Sequence, residues 1–211
     1  MSAKRLAALV VPVLVLVSSA LAQGAYSGAG VNEVSVTAGR TFVSTQTVPG
    51  TGAQIHFGNP VSVAFNYSRE LKTYKIFGLF AELPVVLVPR MNLNYPVNVI
   101  PKDIGALFVT PSVRFSAFSG EAVSPWVSAG GGYGRFREAP STIFGGPNPG
   151  SDGTNTGVLQ LGAGLDVFPW ERWGARFEAR DFYSGVPSLN VDTGRSRQHN
   201  YYVGAGVIYR F

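Results

Sequence analysis

The amino-acid sequence predicts an all-β fold, an eight-stranded antiparallel up-and-down transmembrane β-barrel, and three observations carry that expectation. The C-terminal segment Tyr201–Phe211 places Tyr201, Val203, Ala205, Val207, Tyr209 and Phe211 on one side of an extended strand. Tyr202, Gly204, Gly206 and Arg210 fall on the other, a period-2 alternation that closes on an aromatic residue, as in lipid-facing barrel strands. Comparable segments recur along the chain, separated by connections that are alternately long and short. Finally, no apolar run after residue 22 approaches the roughly 20 residues a spanning helix needs. A membrane-embedded chain without such a run must satisfy its backbone groups by closing a sheet on itself.

The elements follow in order. Lys4 and Arg5 precede an apolar run from Leu6 to Val17 that holds Pro12 and ends in Ala20-Leu21-Ala22. That three-part pattern reads as an export signal cut between Ala22 and Gln23, so residues 1–22 are expected to be removed and 23–211 to form one barrel domain. The first strand, near 33–43, alternates on Val34, Val36 and Ala38, but Arg40 joins the same outward row, so either it lies near a rim where it can snorkel or the register of this strand is shifted by one. The second, 60–70, shows Val61/Val63/Phe65/Tyr67 against Ser62/Ala64/Asn66/Ser68, and the third, 74–87, shows Phe77/Leu79/Ala81/Leu83/Val85 against Gly78/Phe80/Glu82. Pro84 there, and Pro111 in the fourth strand (104–118), cannot donate to a ladder and predict bulges or local breaks.

The fifth strand, 124–137, carries Gly130-Gly-Gly-Tyr-Gly134, which lacks the strand–turn–helix context of a phosphate-cradling loop and reads as relief of crowding. The sixth, 157–168, sets Leu159/Leu161/Ala163/Leu165/Val167 against Gln160/Gly162/Gly164/Asp166; the seventh and eighth cover 174–183 and 200–211. Connections at 44–59, 88–103, 138–156 and 184–199 are long, and those near 69–73, 119–123 and 169–173 are short. Both termini therefore belong to the short-turn rim. Aromatics collect at strand ends: Tyr67, Tyr74, Trp126, Phe168, Trp170, Trp173, Tyr209 and Phe211 by the short turns, and Phe42, Tyr133, Phe136, Tyr183 and Tyr201 by the long loops. Two such girdles are expected at membrane interfaces.

Composition narrows the function classes. There is no cysteine, which removes disulfides, thiolate metal sites and N-terminal lipidation. Glycine is abundant at 26 residues and charge is low at 14%. The formal charge of +5 falls by two without Lys4 and Arg5, and the remaining basic residues are scattered, so nucleic-acid binding is not expected.

Ser124–Phe136, Trp173–Phe182 and the C-terminal strand together resemble the OmpA-like outer membrane β-barrel superfamily. The resemblance covers the chain after the signal, and it implies an eight-stranded barrel in the cell outer membrane. It also implies assembly by the outer membrane insertion machinery, which would read the final strand through Tyr209 and Phe211. Unlike two-domain members, this sequence shows no peptidoglycan-binding domain, so a cell-wall tether is not expected.

With the apolar rows facing lipid, Glu82, Arg114, Asp166, Arg176, Glu178, Arg180 and Arg210 face the lumen. An eight-stranded interior is just wide enough for side chains to fill it, and charges buried there must pair. Asp166 and Arg176 are symmetric about the 169–173 turn and are expected as cross-strand neighbours; Glu82 and Arg114 are expected partners by similar counting. The network reads as a plug, and a narrow anion-preferring path lined by an arginine excess is the alternative. His56 and His199 lie in or beside long loops with many serines nearby, but no third orienting group is evident, and two histidines make no metal site.

The expected role is therefore non-enzymatic, structural or surface-interacting through four extracellular loops, with no cofactor. A narrow porin-like channel and a rim-sited lipid-modifying enzyme are the rivals; a soluble lipocalin-like barrel would invert the in–out pattern. Expected partners are outer membrane lipid and lipopolysaccharide, whose phosphates Arg195, Arg197 and Lys102 could meet, and the protein is expected to be a monomer.

Overall fold

The computed structural model describes residues 31–211. The expected signal sequence and its expected Ala22–Gln23 cleavage point lie outside the described residues. Eleven strands form one antiparallel sheet: β1 (Asn32–Val43), β2 (Gln46–Thr47), β3 (Gln54–Phe57), β4 (Val61–Tyr74), β5 (Phe77–Asn94), β6 (Asp103–Val109), β7 (Ser112–Ala117), β8 (Val123–Glu138), β9 (Thr154–Val167), β10 (Trp173–Gly185) and β11 (Arg197–Arg210). The ring runs β1, β4, β5, β6 with β7, β8, β9, β10 and β11, and β11 returns to β1 in the register Val36↔Val207. Because β6 and β7 are successive pieces of one stave, the ring has eight staves, the fold expected from the sequence. β2 and β3 are short additions within the first long loop, β3 pairing the upper end of β5.

Alternation produces the two faces. Along β11, Val203 and Val207 are 52% and 55% exposed on the exterior, while Tyr202 and Ile208 are fully buried inside. Crowding explains the glycines between them. A Cβ on Gly204 would strike the Tyr202 ring, and one on Gly206 would strike the Val36 carbonyl of β1. Arg40 is on the exterior row, as expected, and its Nη1 donates to the Asn59 carbonyl at 3.0 Å, next to the first long loop.

The two prolines act together at one interruption. Pro111 separates β6 from β7, and Pro84 faces that gap from β5: β5 pairs β7 up to Glu82↔Ser112 and β6 from Val85↔Val109. Thr110 N–H donates to the Pro84 carbonyl at 3.2 Å, and Gly131 N–H to the Pro111 carbonyl at 3.2 Å. The missing proline donors therefore fall where the ladder is already broken.

Several edges differ from expectation. β4 continues to Tyr74, so the first short turn is residues 75–76 rather than 69–73. β5 continues to Asn94, and the second long loop shrinks to 95–102, because β3 and β6 keep pairing β5 beyond a bulge between Val88 and Met91. Three of the expected girdle aromatics also turn inward. Trp126, Phe136 and Phe168 are buried, each on the inward parity of its segment. Tyr74, Trp170, Trp173 and Phe211 at the short-turn end, and Phe42, Tyr133 and Tyr201 at the other, stay exposed.

Candidate functional site

The interior divides into two layers. The layer nearer the short turns is ionic. β10 contributes Arg176, Glu178 and Arg180 from consecutive inward positions, because a strand sends every second residue to one face. β9 supplies Asp166, β5 Glu82, β7 Arg114, and β11 Arg210, while β1 supplies Glu33, which the sequence reading did not single out. Glu33 shares the inward parity of Ser35 and Thr37, and that was the available signal for it. With Glu33 included, four carboxylates face four guanidinium groups, and the expected arginine excess in this layer disappears.

Asp166 and Arg176 are cross-strand partners, and the pair is bidentate: Nε donates to Oδ1 and Nη2 to Oδ2, both at 2.7 Å. Glu82 and Arg114 do not pair. Arg114 stands opposite Phe80 in the ladder rather than Glu82, and its guanidinium crosses the lumen to Asp166 (2.9 Å) and Glu33. Glu82 instead accepts from Arg180 Nη2 at 2.9 Å and Arg176 Nη1 at 3.4 Å. Counting across the longer 88–103 connection missed the bulge in β5, and inside a narrow barrel long side chains reach across the ring as well as along the ladder. Arg180 Nε also donates to Glu178 at 2.8 Å, and Glu178 accepts from Thr37 Oγ1 at 2.5 Å. Arg210 donates to Glu33 at 3.1 Å and closes the lower edge over Phe168, 3.9 Å from its ring centre.

Trp126 sits among these charges. The guanidinium carbons of Arg180, Arg176 and Arg114 lie 5.0, 5.2 and 5.9 Å from its ring centre, a range in which a cation is attracted to an aromatic face. Its Nε1–H donates to Asp166 Oδ1 at 3.2 Å. Space for the indole comes from Gly164, whose added Cβ would lie 2.6 Å from the Trp126 Cε2 atom.

The layer nearer the long loops is apolar. Phe108 stacks on Phe182 at 4.9 Å and meets Phe136 edge-on at 5.9 Å. Val86, Val88, Val158, Ile104 and Tyr202 surround them, and loop residues Ile55, Ile100 and Leu189 pack down onto the same cluster. The loops thus fold back over the barrel mouth. They are tied to one another by Asn190 Nδ2 donating to the Val99 carbonyl (2.9 Å) and Asn148 Oδ1 (2.6 Å), and by Asn98 Nδ2 donating to the Gly145 carbonyl (2.9 Å). Gln46 Nε2 donates to Gln198 Oε1 at 2.9 Å and ties the first loop to β11. Glu138 is buried at this level and accepts from Thr154 Oγ1 and the Ser188 N–H.

His56 and His199 stand apart. His199 lies on β11 beside the last long loop; it faces outward, with Nδ1 2.7 Å from Asp181 Oδ2 and its ring between those of Tyr183 and Tyr201. His56 is bonded to Thr45 Oγ1 at 3.3 Å. Among the described residues, no three His, Asp or Glu side chains group as a metal site. Arg195, Arg197 and Lys102 are exposed.

No protein-family model matches the chain, and curated protein sequences give no significant match. Among solved structures, the outer membrane protein AlkL in lipid bilayers matches with a TM-score of 0.56 at 13% identity, over 90% of this chain and 93% of that one. Neisserial surface protein A matches with 0.53 at 15% identity, over 86% and 99%. The outer membrane protein OprG from Pseudomonas aeruginosa matches with 0.53 at 13% identity, over 87% and 96%. At these identities what is shared is the fold, a small antiparallel β-barrel.

Proposed function

We propose that this protein spans the outer membrane of a diderm bacterium as a closed, non-enzymatic barrel whose activity resides in its long-loop face. The short turns and the start of β1 face the periplasm, and the long loops face outside. The exterior supports the membrane reading: it is apolar between two aromatic rows, while the charges are inside, the reverse of a water-soluble barrel. The closed interior carries the rest. A solute would have to displace both the ionic layer around Trp126 and the apolar layer around Phe108 and Phe182. Neither layer yields without leaving buried charges unpaired or opening a cavity. What remains free to act is the loop surface on a rigid scaffold, the usual place for recognition.

The test is planar-bilayer conductance of the refolded protein beside F108A/F182A. The native barrel is expected to give no steady open level, and a large, stable conductance in the native protein overturns the closed reading. Mass spectrometry of membrane lipids with and without the protein is expected to show no modified species; any such product revives the enzymatic reading.

A further inference from the structure

The apolar exterior is interrupted on either side of β11 by one charge, Arg40 on β1 and Asp181 on β10. Each sits one outward position below an aromatic, Phe42 and Tyr183 respectively, and so on the hydrocarbon side of the outer aromatic row. A charge on that face destabilises a barrel more the deeper it lies. Neither is fully met by its own chain. Among the described residues Arg40 is in no ion pair, and its Nη1 donates to the Asn59 carbonyl at 3.0 Å. Asp181 Oδ2 lies 2.7 Å from His199, while Oδ1 is buried without a hydrogen-bond partner.

The register places the two charges at one height. The ladder line that leaves β1 at Asn32 passes Asp181 and Tyr201 and returns to β1 at Phe42, ten residues above its start. A rise of that size over eight staves tilts the strands by about 40°, so each step from β10 to β11 to β1 climbs about 3 Å. Ala179, Val203 and Arg40 lie on one such line, which raises Arg40 about 6 Å above Ala179. Asp181 is two residues further up β10, a climb of about 5 Å. Arg40 and Asp181 therefore stand level, about 12 Å apart, with Val203 of β11 between them. The wall there is also shallow. Ala38 pairs Ala205 and Ala179 pairs Ala163, whereas Leu79, Leu87 and Phe115 project from the far side of the ring.

Resting on the outer-membrane reading, we propose that the β10–β11–β1 wall is an isologous interface between two copies of this chain, with Arg40 of one protomer facing Asp181 of its partner. A two-fold axis along the membrane normal exchanges positions of equal height on either side of it. With that axis at β11, the positive side of each wall meets the negative side of the other, and both charges leave lipid together. The alanines let the two backbones approach closely, the usual condition for association where lipid is as apolar as the side chains. Val203 lies nearest the axis.

The chain has no cysteine, so single substitutions can report the contact. V203C and, on the far wall, V113C replace residues that are both 52% exposed; each is refolded into phosphatidylcholine liposomes and treated with a short bismaleimide. V203C is expected to be captured as a dimer at least about fivefold more than V113C, because only its wall is charge-matched to a second copy. In the V203C background, R40D and D181R each set like charges against one another and are expected to lower capture at least about fivefold. R40D/D181R exchanges the signs and is expected to restore capture to within about twofold. Equal capture at the two positions, single charge variants without loss, or an exchange without recovery each overturns the interface. Flotation with the liposomes and heat-modifiable migration check that every variant is inserted. A native chain that fails both refutes the outer-membrane reading; one that passes both and stays monomeric, the state expected from the sequence, refutes the dimer alone. Should the single charge variants not insert, the comparison of V203C with V113C still decides the proposal.

Discussion

The two layers of the interior are built from the same strands and solve different problems. In the short-turn layer, eight charged side chains are held by one another, and Trp126 fills the space among them. In the long-loop layer, Phe108, Phe136 and Phe182 form an aromatic core with no charge of their own, and the loops close over it. The ionic layer is specific because each guanidinium has defined acceptors, whereas the apolar layer depends on shape and volume. One is sensitive to losing a partner and the other to losing a methylene.

Arg176 is the sharpest place to break that contrast. Replacing it by Met takes the bidentate partner from Asp166, leaving it only Arg114 and Trp126, and weakens the hold on Glu82 and Glu33; a loss of about 3 kcal/mol is expected in urea unfolding from micelles. Changing Asp166 to Asn in the same chain is expected to cost less than the sum of the two single changes, because they share a partner. Phe108→Ala in the other layer is expected to cost about 3 kcal/mol through the cavity it opens. Its unfolding should be no more sensitive to salt than that of the native protein. Gly164→Ala presses a methyl group against Trp126 and is expected to cost about 1–3 kcal/mol by overpacking. A null effect there would show that the indole can shift. The smallest effect belongs to the exterior pair: Asp103→Asn removes the contact to Arg90 and is expected to change stability by less than about 0.5 kcal/mol, since exposed ion pairs contribute little. Stability measured at high salt is expected to leave the Arg176 penalty intact and to erase any Asp103 effect.

The legibility of these regions in sequence was unequal. The ionic residues of β10 were visible because Arg176, Glu178 and Arg180 interrupt an apolar row at every second position. Asp166 and Arg176 could be paired because only a short turn separates them. Glu33 shared the same parity but lay near the start of the first strand, whose pattern was weak. Trp126 and Phe136 looked like interfacial aromatics because position along a strand is easier to read than the face, and both are in fact inward. The apolar layer was hidden for a related reason. Leu83-Pro-Val-Val-Leu-Val88 is apolar on both parities, so a period-2 argument could not say that Val86 and Val88 build a core while Leu87 faces outward.

By itself the sequence determined the class of fold, the number of staves, which rim carries the short turns and which face of the closing strand is apolar. All of these follow from local alternation and from the spacing of turn residues. Only the tertiary structure decided who pairs with whom across the lumen, where the two prolines meet and how the loops cap the barrel. Those depend on ring closure, which brings residues far apart in sequence, such as Glu33 and Arg114, within reach of each other, and no periodicity along one strand contains that distance.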